Sequence, residues 1–140
     1  MNDSAIPSFW RGELSTIEAL KTQSKKGTPR TLAFSPGGRA VWCFSYGEKQ
    51  QLISRANYNS ACGANDLEAY LPQSGKKPVS LLIGGVHGQE TEGIVALCNL
   101  ISLLETGVDL GGEPNNAVIK AAEKVRLLIV PCAHPDGRAR

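Results

Sequence analysis

Histidine is scarce in this chain of 140 residues, which has only His87 and His134. Long apolar runs are missing too. No stretch approaches the roughly 20 apolar residues that a membrane-crossing helix needs, so no membrane partner is expected. The N-terminus, MNDSAIPSFWRGEL, lacks a basic start followed by an apolar core, and it does not read as a signal peptide. A strong excess of one charge is also absent. The formal net charge is +2, and the densest basic group, KTQSKKGTPR, is short. It reads as a solvated helix end and loop, so nucleic acid is not an expected partner. None of Cys43, Cys62, Cys98 and Cys132 belongs to a C-x-x-C pair. Buried free thiols are expected rather than disulfides or metal ligands, and a cytoplasmic location follows. The chain carries no repeat and no low-complexity segment.

What is present is an ordinary globular composition, 41% hydrophobic and 20% charged, in a length that suits one domain with a real core. Leu14, Ile17 and Leu20 recur at helical spacing, which predicts a helix over 12–25 with Gly27 and Pro29 as stop signals. TLAFSPGGRAVWCFSYGE reads as two strands around a Pro36-Gly37-Gly38 turn. NYNSACGAND reads as loop, LEAYL as part of a helix, and PQSGKKP as loop. VSLLIGG is a continuous apolar run, which predicts a strand buried on both faces of a parallel sheet. From Glu90 to Glu105, Ile94, Leu97, Leu100, Ile101 and Leu104 form one apolar helix face, stopped by Gly107. A short helix in AVIKAAEK and a second buried strand in VRLLIVPC follow. Strand, helix, strand implies a crossover between parallel strands.

The chemistry gathers in LLIGGVHGQETEG, residues 81–93. Functional groups collect where parallel strands end, and His87 and Glu90 lie at such an edge. Gly84, Gly85 and Gly88 permit a tight turn and close approach of other backbone. Imidazole and carboxylate are good zinc ligands, and a spacing of three across a turn brings both to one metal. H-x-x-E alone is short and common. For the isolated pattern, a surface histidine beside Glu90 and Glu92, both favouring the helix dipole, is the commoner explanation.

Context narrows this. A strand ending in glycines, H-x-x-E, a helix, and then a second strand ending in His134-Pro135-Asp136-Gly137 resemble the zinc carboxypeptidases of the funnelin type. The hairpin with Gly38-Arg39 entering its second strand is similar to theirs as well. The resemblance implies an α/β fold, in which this chain forms a partial mixed sheet with flanking helices. That would be the N-terminal part of a phosphorylase/hydrolase-like α/β/α domain. It also implies a metallocarboxypeptidase that hydrolyses a C-terminal peptide bond with a zinc-activated water, acting on a peptide or peptide-like substrate. His87 and Glu90 would be the first two ligands of one Zn2+. The third ligand (a histidine), the general base and the residues holding the substrate carboxylate would lie beyond Arg140.

The family domain is roughly twice as long as these 140 residues. Residues 1–140 therefore read as the N-terminal portion of one catalytic domain, inactive alone. His134 replaces the family's asparagine. It is a possible auxiliary ligand or a turn histidine bonded to nearby backbone. Pro135-Asp136-Gly137 reads as a turn, with Asp bonding backbone and Gly allowing positive φ. Arg138 and Arg140 receive no role, and Glu92 reads as a solvated helix acid. Two alternatives stay open. One is an N-acyl amino acid amidohydrolase of the aspartoacylase and succinylglutamate desuccinylase type, which shares H-G-x-E. The other is a non-catalytic α/β remnant or interaction domain.

Overall fold

The computed structural model describes residues 6–51, 56, 58–70 and 76–140. Helix α1 (Leu14–Gln23) leads into strands β1 (Thr28–Phe34) and β2 (Ala40–Tyr46). A short helix, α2 (Tyr58–Gly63), and a 3₁₀ turn (Leu67–Ala69) precede β3 (Val79–Ile83). Helices α3 (Thr91–Thr106) and α4 (Asn116–Ala122), strand β4 (Arg126–Val130) and a last helical turn, α5 (Pro135–Arg138), complete the order.

The four strands form one mixed sheet in the order β1-β2-β4-β3. β1 and β2 are the expected antiparallel hairpin, with an irregularity between Thr31 and Ala33. β3 and β4 run parallel, Leu82 opposite Ile129, as the strand–helix–strand order requires. β2 joins β4 antiparallel, Phe44 opposite Ile129. Phe44, Ile129 and Leu82 therefore share one face. There they meet Ile17 and Leu20 of α1 and Ile94, Cys98 and Ile101 of α3 in the core. Spacings of four and three on α3 put its three fully buried side chains on one stripe. Gly107 ends that helix in the left-handed region, φ 92°, where a Cβ is penalised.

Three expectations need correction. The VSLLIGG run predicts burial on both faces, but β3 is an edge strand with one open face. Val79, Leu81 and Ile83 are 47%, 55% and 51% exposed, while Leu82 packs on the core. Apolar composition reports what a strand prefers to touch, not which layer reaches it. NYNSACGAND contains helix α2 instead of loop only, anchored by Ala61 at 1% exposure. Six residues are too few to show a period. LEAYL is helical only as the 3₁₀ turn, capped by Asp66 accepting from the Ala69 N–H at 3.2 Å. The loop expected over PQSGKKP lies partly outside the described residues. All four cysteines are free, Cys62 exposed and the others buried. Among the described residues no helix is long and apolar enough to cross a membrane.

Candidate metal centre

The backbone after β3 has two fastenings to the backbone after β4. Ala133 N–H donates to the Gly84 carbonyl and His134 N–H to the Gly85 carbonyl, both at 2.9 Å. The two strand ends thus stay together beyond the sheet itself. Side chains would prevent this. A Cβ on Gly84 would lie 2.7 Å from the Pro131 oxygen, and Gly85 has φ +55° with Cys132 Sγ beneath it. At Gly88 a Cβ would run into the backbone of Gly137 and Arg138. The glycines therefore let one loop lie directly on another.

Within that loop, Glu90 N–H donates to the His87 carbonyl at 3.0 Å and closes a turn. The turn brings side chains three positions apart together: His87 Nδ1 and Glu90 Oε1 are 2.9 Å apart. Both are well exposed, at 78% and 62% of their side-chain surface. Glu90 occupies the N-cap position of α3, yet its carboxylate makes no capping hydrogen bond. The acid therefore serves the histidine and not the helix end. The hydrogen bond from His87 holds the Glu90 carboxyl below its ordinary range, so the group is an anion at neutral pH. An ionised carboxylate only accepts, which places a ring proton on Nδ1 in this contact.

The pair suits a metal. Two donor atoms about 2.1 Å from zinc at a tetrahedral angle lie about 3.4 Å apart. The observed 2.9 Å needs only a small opening, replacing the shared proton by a cation. Among the described residues, no group of three or more His, Cys, Asp or Glu is placed to hold an ion. Cys98 and Cys132 do not extend the set. Burial pushes the Cys98 thiol up to about 12 and raises Cys132 as well, and thiols ligate as thiolates.

His134 shares a cavity of about 250 Å³ with His87, Gly88, Gln89, Gly137 and Arg140. It is the N-cap residue of α5. Its backbone N–H reaches Gly85, while its side chain makes no capping bond. A Cβ on Gly137 would sit 2.7 Å from His134 Nδ1, so that glycine is needed for ring clearance rather than for a positive φ. Pro135-Asp136-Gly137 is likewise not a turn closed locally but the start of α5. Asp136 reaches across the molecule to the hairpin. It accepts from Ser35 Oγ (2.8 Å), Gly37 N–H (2.8 Å) and Arg39 Nη1 (2.9 Å). Those bonds, Gly37 first, hold its carboxyl low. Arg138 Nε donates to the Gly12 carbonyl at 2.8 Å, tying the lead into α1 to the same turn. Glu92 is an exposed acid in the first turn of α3.

A family model described as zinc carboxypeptidase matches residues 14–140. No match was found among curated proteins. Among solved structures, a metallo-carboxypeptidase from Burkholderia cenocepacia superposes with a TM-score of 0.50 at 19% identity. The alignment covers 89% of this chain and 26% of that one, so this chain spans about a quarter of that protein's length. At such identity the likeness speaks to the fold, a mixed α/β sheet with flanking helices.

Proposed function

The chain belongs to the zinc carboxypeptidase family, and from that premise we propose that His87 and Glu90 are two protein ligands of a single zinc ion. The site would serve hydrolysis of a C-terminal peptide bond in a peptide or peptide-like substrate. Residues 1–140 would then be the N-terminal portion of one catalytic domain. The observation that carries this reading is the 2.9 Å approach of an imidazole nitrogen and an ionised carboxylate on a glycine-lined strand end. The family match favours this reading over the aspartoacylase type.

When bound, zinc supplies a Lewis acid and lowers the pKa of water to about 7. The residues of this chain prepare the place. His87 contributes Nδ1, which must give up its proton to ligate. Glu90 contributes an anionic oxygen and partly neutralises a dication. Gly84, Gly85 and Gly88 hold their loop against the backbone after β4. Catalytic zinc normally has three protein ligands, and the resemblance puts the third ligand and the general base beyond Arg140. His134 faces the same cavity as His87 and is the auxiliary donor within reach of the proposal.

Competition for zinc against a chromophoric chelator tests the pair. The chain should take up one weakly held ion, lost on His87→Ala and on Glu90→Gln, with His134→Ala giving the smaller effect. Uptake unchanged in both His87→Ala and Glu90→Gln would refute the ligand assignment.

A further inference from the structure

A second cavity, of about 350 Å³, lies away from the His87–Glu90 pair, between α1 and the start of β2. We propose that it binds a free α-amino acid with a bulky apolar side chain. Its size is at the lower end of small-molecule sites, about 300–1,000 Å³. Leu14 and Ile17 of α1, Trp42 of β2 and Pro135 of α5 give it apolar walls. Two opposite charges line the same space, Arg39 and Glu18.

Both charged groups are held in position and both keep capacity. Asp136 takes the Nη1 donor of Arg39 at 2.9 Å, and a Cβ on Gly37 would lie 2.6 Å from that nitrogen. The guanidinium is thus packed on one side. A guanidinium has five N–H donors, so a fork remains for a carboxylate. Glu18 Oε1 accepts from Trp42 Nε1 at 2.6 Å, which fixes the carboxylate against the indole. Its other oxygen is 3.9 Å from Lys21 Nζ, too far for a hydrogen bond, so that oxygen can still accept one from an ammonium. Lys21 itself sits 5.0 Å from the centre of the Trp42 ring and forms part of the indole's surroundings.

A ligand of one charge fits this lining poorly. An apolar carboxylate would pair with Arg39 but bring an anion towards Glu18. An apolar amine would do the reverse. A zwitterion with an apolar body offers a partner of the right sign or character to the guanidinium, the carboxylate and the walls alike. The assignment does not depend on the metal pair, whose cavity has a different lining.

The test titrates the 140-residue chain with L-phenylalanine, phenylacetate and phenethylamine while following the two indole N–H signals by NMR. Trp42 is the reporter, because its N–H is bonded to Glu18; Trp10 is the internal control. L-phenylalanine should shift the Trp42 signal saturably at one site and leave Trp10 in place. Phenylacetate, lacking the ammonium, and phenethylamine, lacking the carboxylate, should each bind about tenfold or more weakly, the scale of one lost charged hydrogen bond. Glu18→Gln should weaken L-phenylalanine by a similar factor and leave phenylacetate no weaker. No saturable Trp42 shift with L-phenylalanine would overturn the proposal. So would phenylacetate or phenethylamine matching the amino acid, or a folded Glu18→Gln chain that binds it unchanged. The ligand comparison needs no variant, so a misfolded mutant cannot rescue or hide the outcome.

Discussion

Glu105 stands in the last turn of α3, where a negative charge opposes the helix dipole. Its carboxylate accepts from the N–H groups of Lys25, Lys26 and Gly27 at 2.8–2.9 Å and from the Tyr46 hydroxyl at 2.9 Å. Burial pushes its carboxyl up, but the hydrogen bonds from Lys26, Lys25, Gly27 and Tyr46 outweigh it, so the value is lowered. Asp136 is lowered too, by Gly37, Ser35 and Arg39. A depressed folded-state value means the unfolded carboxyl takes up its proton first as pH falls. The stabilisation is complete above the unfolded values, about 4, and is lost as pH drops through the folded ones. Urea midpoints should therefore fall on the acid side. Glu105→Gln should cost about 1–2 kcal/mol at pH 7, a charge-assisted value reduced for solvent screening, and should flatten the acid slope. Asp136→Asn should flatten it as well. An acid slope identical in both variants and the parent would show that the clamps are not anionic. Gly88→Ala, which drives a methyl into the Gly137–Arg138 backbone, should cost more than about 1 kcal/mol in the same urea measurement. The His87–Glu90 meeting was legible, because a tight turn flanked by glycines brings i and i+3 together. The Asp136 contacts were not, since Ser35 lies 101 positions away. Glu105 left a trace that passed unread, an acid at the wrong end of a helix.

Helices with a long apolar stripe announced themselves. α3 buries Ile94 and Ile101 of its expected face fully and Leu97, Leu100 and Leu104 in part, adds Cys98 to the stripe, and stops at its glycine; Ile101→Ala there should cost about 2–5 kcal/mol by calorimetry or urea. Glu92→Ala, in the first turn and exposed, should stay within about 0.5 kcal/mol. β3 was legible as a strand but not as an edge. Its run VSLLI has no charge or proline to discourage pairing, and alternate side chains are half exposed. Leu81→Lys should therefore lower self-association seen by light scattering while leaving the urea midpoint nearly unchanged. Equal scattering in parent and variant would remove β3 as the source. α2 escaped the sequence because six residues with one buried side chain carry no detectable period.

Among the described residues, a hairpin and a parallel pair form one sheet, and α1 and α3 pack on one of its faces. On the proposed assignment His87 and Glu90 are two donors with no base beside them, and a general base alone typically supplies about 10²–10⁴-fold of rate. With zinc added, the 140-residue chain should release no C-terminal amino acid from a blocked dipeptide, and a longer protein that adds a third ligand and a base should. Release by the short chain, abolished by His87→Ala, would mean that its own residues complete the site.

The bonds from Asp136 to the β1–β2 hairpin also bear on time. Hairpins form from neighbours, within microseconds, whereas the Ser35–Asp136 contact closes a loop of 101 positions. Bringing such distant ends together costs about 4 kcal/mol of chain entropy, so this contact belongs late on the folding route. On a ribosome the hairpin emerges about a hundred residues ahead of its partner and must wait for it. Contacts made after the rate-limiting step alter unfolding and not folding. Asp136→Asn should then speed unfolding in stopped-flow measurements and leave the refolding limb of the chevron in place. The loop carrying His87 rests on the Gly137–Arg138 backbone next door, so it settles only when those two residues, about fifty positions on, have arrived.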